Sequence, residues 1–325
     1  MNPPPAAGPL FIVMNEGSGR TDPGERREVI AAVTARHGRQ YQLMSFDRRK
    51  PIAGVAAEAV RQASACDGVV VAAGGDGTIN AVVQAAIGSG CGFGVLPQGT
   101  FNYFARTHGI PEDTEAALER VLSGRPEPVQ VGRVNDKVFI VNVSLGLYPE
   151  LLEDRESFKQ RFGRSRVVAM FSAMFSLLRE HRQLNLQVDW REPGTDDDKE
   201  GAPPQRLRTP TLFVGNNRLQ LEQIGIDEAE QLQHGRLVAI APRDVDTLSM
   251  FGLALRGAIG QLGDAESVRR LAFRRLRVEP IGRFGRRRYK VATDGEIAWM
   301  KPPFDFSVHP QRLWLIKGEP EPSAR

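Results

Sequence analysis

Ala72-Ala73-Gly74-Gly75-Asp76-Gly77-Thr78 follows the apolar run Gly68-Val69-Val70-Val71 and opens an apolar helical pattern from Ile79 to Ile87. Residues of these types, set between a strand and a helix, suit phosphate chemistry. Gly74, Gly75 and Gly77 let backbone N–H groups approach an anion without interference from a Cβ, and the helix turns its positive N-terminal end toward the same charge. Asp76 can accept from a hydroxyl or hold a cation, and Thr78 can cap the helix or donate to a phosphate oxygen. A tight strand-to-helix turn with a threonine cap would use the same letters. Two further turns of this kind favour the phosphate reading.

The first lies upstream, where Leu10-Phe11-Ile12-Val13-Met14 runs into Asn15-Glu16-Gly17-Ser18-Gly19-Arg20. Asn15 and Ser18 can bond nucleotide or backbone groups, and Arg20 offers a cation to phosphate. The second lies downstream, where Cys91-Gly92-Phe93-Gly94-Val95-Leu96 reads as a buried strand before Pro97-Gln98-Gly99-Thr100-Phe101-Asn102-Tyr103-Phe104-Ala105-Arg106. In an open parallel sheet, ligands bind beyond the carboxyl ends of the strands, so such turns can converge on one nucleotide.

The combination NxxSG, GGDGT and LPxGTxNxFAR resembles the catalytic domain of the diacylglycerol kinase and lipid kinase superfamily, which includes sphingosine and ceramide kinases. The turns Asn142 to Glu150, Val214-Gly215-Asn216-Asn217 and Thr293-Asp294-Gly295-Glu296 follow in family order. The resemblance implies ATP and Mg²⁺ as cofactors and a lipid hydroxyl as acceptor. It assigns nucleotide or phosphate contacts to Asn15, Ser18, Gly19, Gly74, Gly75, Gly77, Thr78, Gly99, Thr100 and Asn102, and the metal to Asp76. Asp-Gly-Glu by itself reads as a hairpin turn with two solvated acids. By resemblance, Glu296 is the base that takes the acceptor proton and Asp294 its neighbour or a cation-side contact. Three family carboxylates are replaced, by Tyr103, by Gln130 in Val129-Gln130-Val131-Gly132 and by His234 in His234-Gly235-Arg236-Leu237-Val238. Neither Tyr nor Gln supplies anionic charge to Mg²⁺, so more of that work falls to Asp76, substrate phosphates and water.

Two readings stand beside the lipid kinase. An NAD kinase shares GGDGT, but LPQGTFNYFAR and the lack of that family's paired Asn-Glu motif speak against it. A catalytically weakened, nucleotide- and lipid-binding regulator would accommodate Tyr103, Gln130 and His234.

At 325 residues the chain is long enough for two buried cores. Alternating strand and helix runs (Leu10 to Met14, Glu25 to His37, Gln40 to Phe46, Ile52 to Ala65, Gly68 to Ala73, Thr78 to Ile87) predict a Rossmann-like α/β domain with a parallel sheet over residues 1–130. Shorter strands follow at Val138 to Val143, Leu184 to Trp190, Arg206 to Val214, Leu237 to Ala241, Leu271 to Pro280 and Arg286 to Ala292. They predict a β-rich, antiparallel lipid-substrate domain over residues 131–304, with the nucleotide and active site in the interdomain cleft. The tail, 305–325, is expected to return to the first domain through Phe306-Ser307-Val308 and Leu313 to Ile316. Apolar helical stripes at Ser165 to His181 and Thr247 to Leu262 suit core packing or acyl-chain lining.

Net charge is only +4, from 43 basic and 39 acidic side chains. The segment Arg269 to Lys290, however, sets many arginines against the single acid Glu279. Read as a basic hairpin leading into Asp-Gly-Glu, it would meet an anionic membrane surface. No nucleic-acid reader motif or aromatic platform accompanies it, so nucleic acid is not expected as a partner. Cys66 and Cys91 form no CxxC or Cys/His cluster and are expected as buried thiols in a reduced compartment. No signal peptide or run of ~18 apolar residues is read. The expected location is cytoplasmic, peripheral at the inner membrane face, with a homodimer left open.

Overall fold

The computed structural model describes residues 3, 4, 6–15, 22–46, 50–146, 183–191, 204–243, 252, 256, 261, 262, 265, 267–282 and 287–318. The chain divides into two compact units, Met1–Val131 with His309–Arg325, and Gly132–Val308.

The first unit follows the alternating pattern: β1 (Leu10–Met14), α1 (Pro23–Arg36), β2 (Tyr41–Ser45), α2 (Ile52–Ala65), β3 (Val69–Gly74), α3 (Asp76–Ala86), β4 (Gly92–Pro97), α4 (Tyr103–Thr107), α5 (Thr114–Ser123) and β5 (Arg125–Val129). β1, β3 and β4 are buried along their whole length. That is why they read as unbroken apolar runs and not as alternating ones. The sheet order is β2-β1-β3-β4, all parallel, continued by the C-terminal strand Leu313–Lys317 and closed by β5, which runs antiparallel to that strand. α2 packs on α3 and α1 on α5. α1 starts at Pro23, ahead of the expected Glu25, because the Asp22 carboxylate accepts from Gly24 and Glu25 N–H and Pro23 supplies a helical φ with no N–H to satisfy.

The second unit has two six-stranded antiparallel sheets. Its elements are β6 (Gly132–Val134), β7 (Lys137–Phe139), β8 (Asn142–Gly146), β9 (Leu184–Arg191), β10 (Gln205–Thr209), β11 (Thr211–Gly215), α6 (Arg218–Gln223), a 3-10 helix (Asp227–His234), β12 (Leu237–Pro242), β13 (Val268–Phe273), β14 (Arg275–Pro280), β15 (Tyr289–Thr293), β16 (Glu296–Met300) and β17 (Phe304–Val308). One sheet runs β10-β9-β14-β17-β6-β7 and the other β13-β12-β11-β8-β15-β16. Phe139, Leu276, Phe304 and Phe306 of the first sheet and Val143, Val214, Phe273 and Val291 of the second share one core.

Three segments expected as single strands are each divided between the two sheets. Arg206 to Val214 breaks at Pro210, which has no N–H for a ladder. Val138 to Val143 breaks at Ile140 and Val141, whose N–H groups turn to a side chain described below. Leu271 to Pro280 breaks at Arg274. The expected basic hairpin is therefore not formed: β14 pairs with β9 and β17, while β15 pairs with β8 and β16 in the other sheet. Apolar residues on both sides of such a corner, Phe273 and Leu276, still face the same core.

Phe304–Val308 pairs within the second unit, and Leu313–Lys317 alone of the tail strands joins the first. Cys91 is buried as expected, but Cys66 is exposed, because it caps the end of α2 just before a left-handed residue, Asp67. Residues 165–181 and 192–203, and most of 247–262, lie outside the described residues. Among those described, no helix is long and apolar enough to cross a membrane.

Candidate active site

In the first unit, the turns after β1, β3 and β4 come together at the carboxyl ends of neighbouring strands. Asn15 N–H donates to the Ala73 carbonyl at 3.0 Å, and Asn15 Nδ2 donates to Thr78 Oγ1 at 3.5 Å. Gln98 N–H donates to the Gly74 carbonyl at 2.9 Å. Gly75 and Gly99 face each other so closely that a Cβ on Gly99 would lie 2.9 Å from Gly75 Cα and 2.8 Å from Asn102 Oδ1. A Cβ on Gly74 would meet the Thr78 side chain at 2.5 Å. The glycines thus allow backbone to pass against backbone. α3 begins at Asp76 with Gly75 as its N-cap and no side chain capping it, so the amides of its first turn, which includes Gly77 and Thr78, are presented to an anion.

Asp76 and Asn102 build the turn after β4. Asp76 Oδ2 accepts from Tyr103 N–H and Oδ1 from Phe104 N–H, both at 3.1 Å. Burial raises the Asp76 carboxyl above its ordinary value, and these two backbone donors oppose the rise. Asn102 is buried in the left-handed region, at φ 47°, with Oδ1 accepting from Gly99 N–H at 2.8 Å and Nδ2 donating to the Gly99 carbonyl at 3.0 Å. Thr100 is exposed. Phe101, half exposed, stacks on Tyr103 with centroids 5.7 Å apart and rings within 5° of parallel. Ser18, Gly19 and Arg20 lie outside the described residues.

Sequence reasoning missed one residue of this cluster. Arg26 is 3% exposed, and its Nη1 donates to Gln98 Oε1 at 2.5 Å. The signal was its place on the buried stripe of α1, Arg26, Ile30, Val33 and Thr34, where helical spacing calls for an apolar side chain.

In the second unit, the Asn142, Asn216-Asn217 and Asp294-Gly295-Glu296 turns also come together. The Asp294 carboxylate accepts three backbone donors, from Ile140 through Oδ2 and from Val141 and Asn142 through Oδ1, each at 2.8 Å. Its own N–H donates to the Asn142 carbonyl at 2.9 Å, and it holds a left-handed φ of 48°. Asn216 N–H donates to the Val141 carbonyl at 2.8 Å. Asn217 Oδ1 caps α6 through Gln220 N–H, and Gln220 Oε1 accepts from Asn142 Nδ2 at 2.9 Å. Glu296, two residues beyond Asp294, pairs through its backbone with Thr293 and keeps solvent access, and among the described residues no donor meets its carboxylate. The surrounding protein raises its carboxyl above the ordinary value, with Lys137 acting against that. Asp294 is held by the turn it organises, and Glu296 is left able to accept a proton.

Part of the basic segment is paired. Arg270 meets Glu228 at 3.4 Å, Arg277 meets Glu279 at 2.8 Å and Asp305 at 3.3 Å, and Arg269 lies 5.4 Å from the Trp190 ring centroid. Arg287 and Arg288 are exposed, and Arg286 falls outside the described residues. Among the described residues, no three of His, Cys, Asp or Glu gather as a metal site.

An α/β unit with converging strand-end turns, followed by an antiparallel two-sheet unit, is the architecture of diacylglycerol-kinase-like proteins. Two solved structures from Bacillus anthracis str. Sterne share it. A diacylglycerol kinase superposes with a TM-score of 0.64 and a putative diacylglycerol kinase with 0.66, each 15% identical over 96% of this chain and 97% of its own. Residues 9–134 match the family described as the diacylglycerol kinase catalytic domain. Over those residues the chain is similar to the diacylglycerol kinase catalytic domain, and its fold is that of the diacylglycerol kinase structures. Among curated relatives, it is 47% identical over 79 residues to a probable lipid kinase YegS-like protein of Klebsiella pneumoniae (strain 342), covering 24% of this chain and 27% of that one. It is 32% identical over 164 residues to the probable lipid kinase YegS of Salmonella gallinarum, covering 47% and 54%. The chain thus spans between about a quarter and about half the length of the curated relatives it matches.

Proposed function

We propose that this protein transfers the terminal phosphoryl group of ATP to the hydroxyl of a lipid. The observation that carries the reading is the meeting of the Asn15, Gly74-Gly75 and Gly99 turns at the uncapped start of α3. The acceptor oxygen attacks the γ-phosphorus, the bond from that phosphorus to the bridging oxygen of ADP breaks, and the hydroxyl proton passes to the Glu296 carboxylate. The glycine turns bind and orient the phosphates, while Asp294 holds the turn that presents Glu296. With Asp76 the one carboxylate beside the turns among the described residues, a Mg²⁺ ion would be held mainly by nucleotide phosphates and water, and it would supply charge neutralisation. Exposed Arg287 and Arg288 support docking at an anionic lipid surface, cytoplasmic and peripheral, through attraction that salt should weaken.

A second reading is a nucleotide-binding regulator of weakened activity. Tyr103, Gln130 and His234, standing where the family carries acids, favour it. One experiment separates the readings: incubation with γ-labelled ATP, Mg²⁺ and a total lipid extract, with an arm containing NAD in place of lipid. Label in an organic-soluble product is expected. ATP binding with no labelled lipid points to the regulator, and label in NADP to an NAD kinase.

A further inference from the structure

We propose that Arg26 is the buried cation that meets the phosphate charge of the nucleotide, held ready for it by Gln98; this rests on the ATP-dependent reading above. A guanidinium stays protonated, so taking it out of water is unfavourable unless an anion or a full set of acceptors compensates. Among the described residues Arg26 has neither. It is 3% exposed, its Nη1 donates to a neutral amide oxygen on Gln98, and among those residues its Nε meets no acceptor and it forms no ion pair with a carboxylate.

Its position gives the missing charge a source. Gln98, which holds the guanidinium, donates its own backbone N–H to the Gly74 carbonyl and precedes Gly99, which packs on Gly75. The unmatched positive charge therefore sits one side chain behind the glycine turns, and the uncapped start of α3 adds a partial charge of the same sign. A polyphosphate received by those turns would complete the electrostatics of a site built one anion short. The residue at 98 fits this role. Glutamate there would neutralise Arg26 internally, whereas glutamine fixes its geometry and leaves its charge available to a ligand.

The test uses the full-length protein and the variants Gln98→Glu and Arg26→Lys, with calorimetric binding of ATP, ADP, inorganic tripolyphosphate and adenosine, and thermal unfolding of each protein. Gln98→Glu should unfold no lower than wild type, because it supplies the buried cation with a partner. Its affinity for ATP, ADP and tripolyphosphate should fall about tenfold or more, with adenosine unchanged. Arg26→Lys keeps the charge but loses the planar fork, and should fall between the two. Wild-type ATP affinity in Gln98→Glu, or a parallel loss for adenosine, would overturn the proposal while leaving the kinase reading intact. A wild type that binds neither ATP nor tripolyphosphate would overturn both. Should Gln98→Glu fail to fold, Arg26→Lys decides: phosphate affinity unchanged from wild type refutes the role, and a selective loss for the phosphate compounds supports it.

Discussion

Asp294→Asn separates a turn-holding role from a chemical one. The carboxylate accepts from Val141 and Asn142 through Oδ1 and from Ile140 through Oδ2. An asparagine can keep the first two through its carbonyl, but its NH₂ then faces the Ile140 N–H, so one charge-assisted bond is lost and two donors oppose each other. Hydrogen bonds to charged groups contribute about 1.5–3 kcal/mol each, and the site is only partly buried, so a loss of about 2 kcal/mol is expected. For a unit of this size that corresponds to about 4–8 °C in Tm. Asparagine tolerates the left-handed φ of 48°, so backbone strain adds little. Asp294→Ala removes both acceptor oxygens and all three hydrogen bonds and adds the left-handed strain, and should lose roughly twice as much or more. Circular dichroism melts beside the labelled-lipid assay read both consequences, with transfer by Asp294→Asn falling only as far as the displaced turn misplaces Glu296. A variant with wild-type Tm and abolished transfer would refute the reasoning, since Asp294 would then act on the reactants.

Glu296→Gln should leave Tm within about 1 °C and lower turnover by about 10²–10⁴-fold, the range of general-base catalysis. Because Glu296 is raised by burial, wild-type turnover should fall with decreasing pH at a higher pH than an ordinary glutamate would give, and the variant should lack that limb. A pH–rate profile unchanged by the substitution assigns the base elsewhere. His108, packed at 4.7 Å against Phe104, has its pKa pushed down to about 3 by burial and by Lys317. Its folded pKa lies below the unfolded 6.5, so the stability it contributes is present above 6.5 and is lost as pH falls toward 3. Urea midpoints at several pH values should show that dependence in the wild type and a flatter one in His108→Gln; equal slopes contradict the assignment. Gly99→Ala sets a Cβ 2.9 Å from Gly75 Cα and should weaken ATP binding about tenfold in a folded protein, and unchanged affinity by calorimetry would show that the turn pair is not the nucleotide site.

Local pattern sufficed for the α/β unit. Buried parallel strands are continuous apolar runs, helices repeat every 3.6 residues, and glycine turns at strand ends are decided by a few neighbouring dihedrals, so β1, β3, α2 and the Gly74-Gly75 and Gly99 turns were legible in the chain itself. The second unit was legible only as antiparallel β structure. An apolar run reads the same whether it serves one strand or bends at Pro210 or Arg274 to serve two, because the partners that decide it are strands distant in sequence. The acids of Asp-Gly-Glu were equally indistinguishable as letters. Asp294 became a turn holder because the Ile140–Asn142 backbone, far away in sequence, lays three N–H groups against it, and Glu296, on the far side of the same turn, meets no such donors among the described residues. Arg26 shows the same division: its helical stripe marked it for the interior, and only the fold set Gln98 beside it and withheld a carboxylate among the described residues.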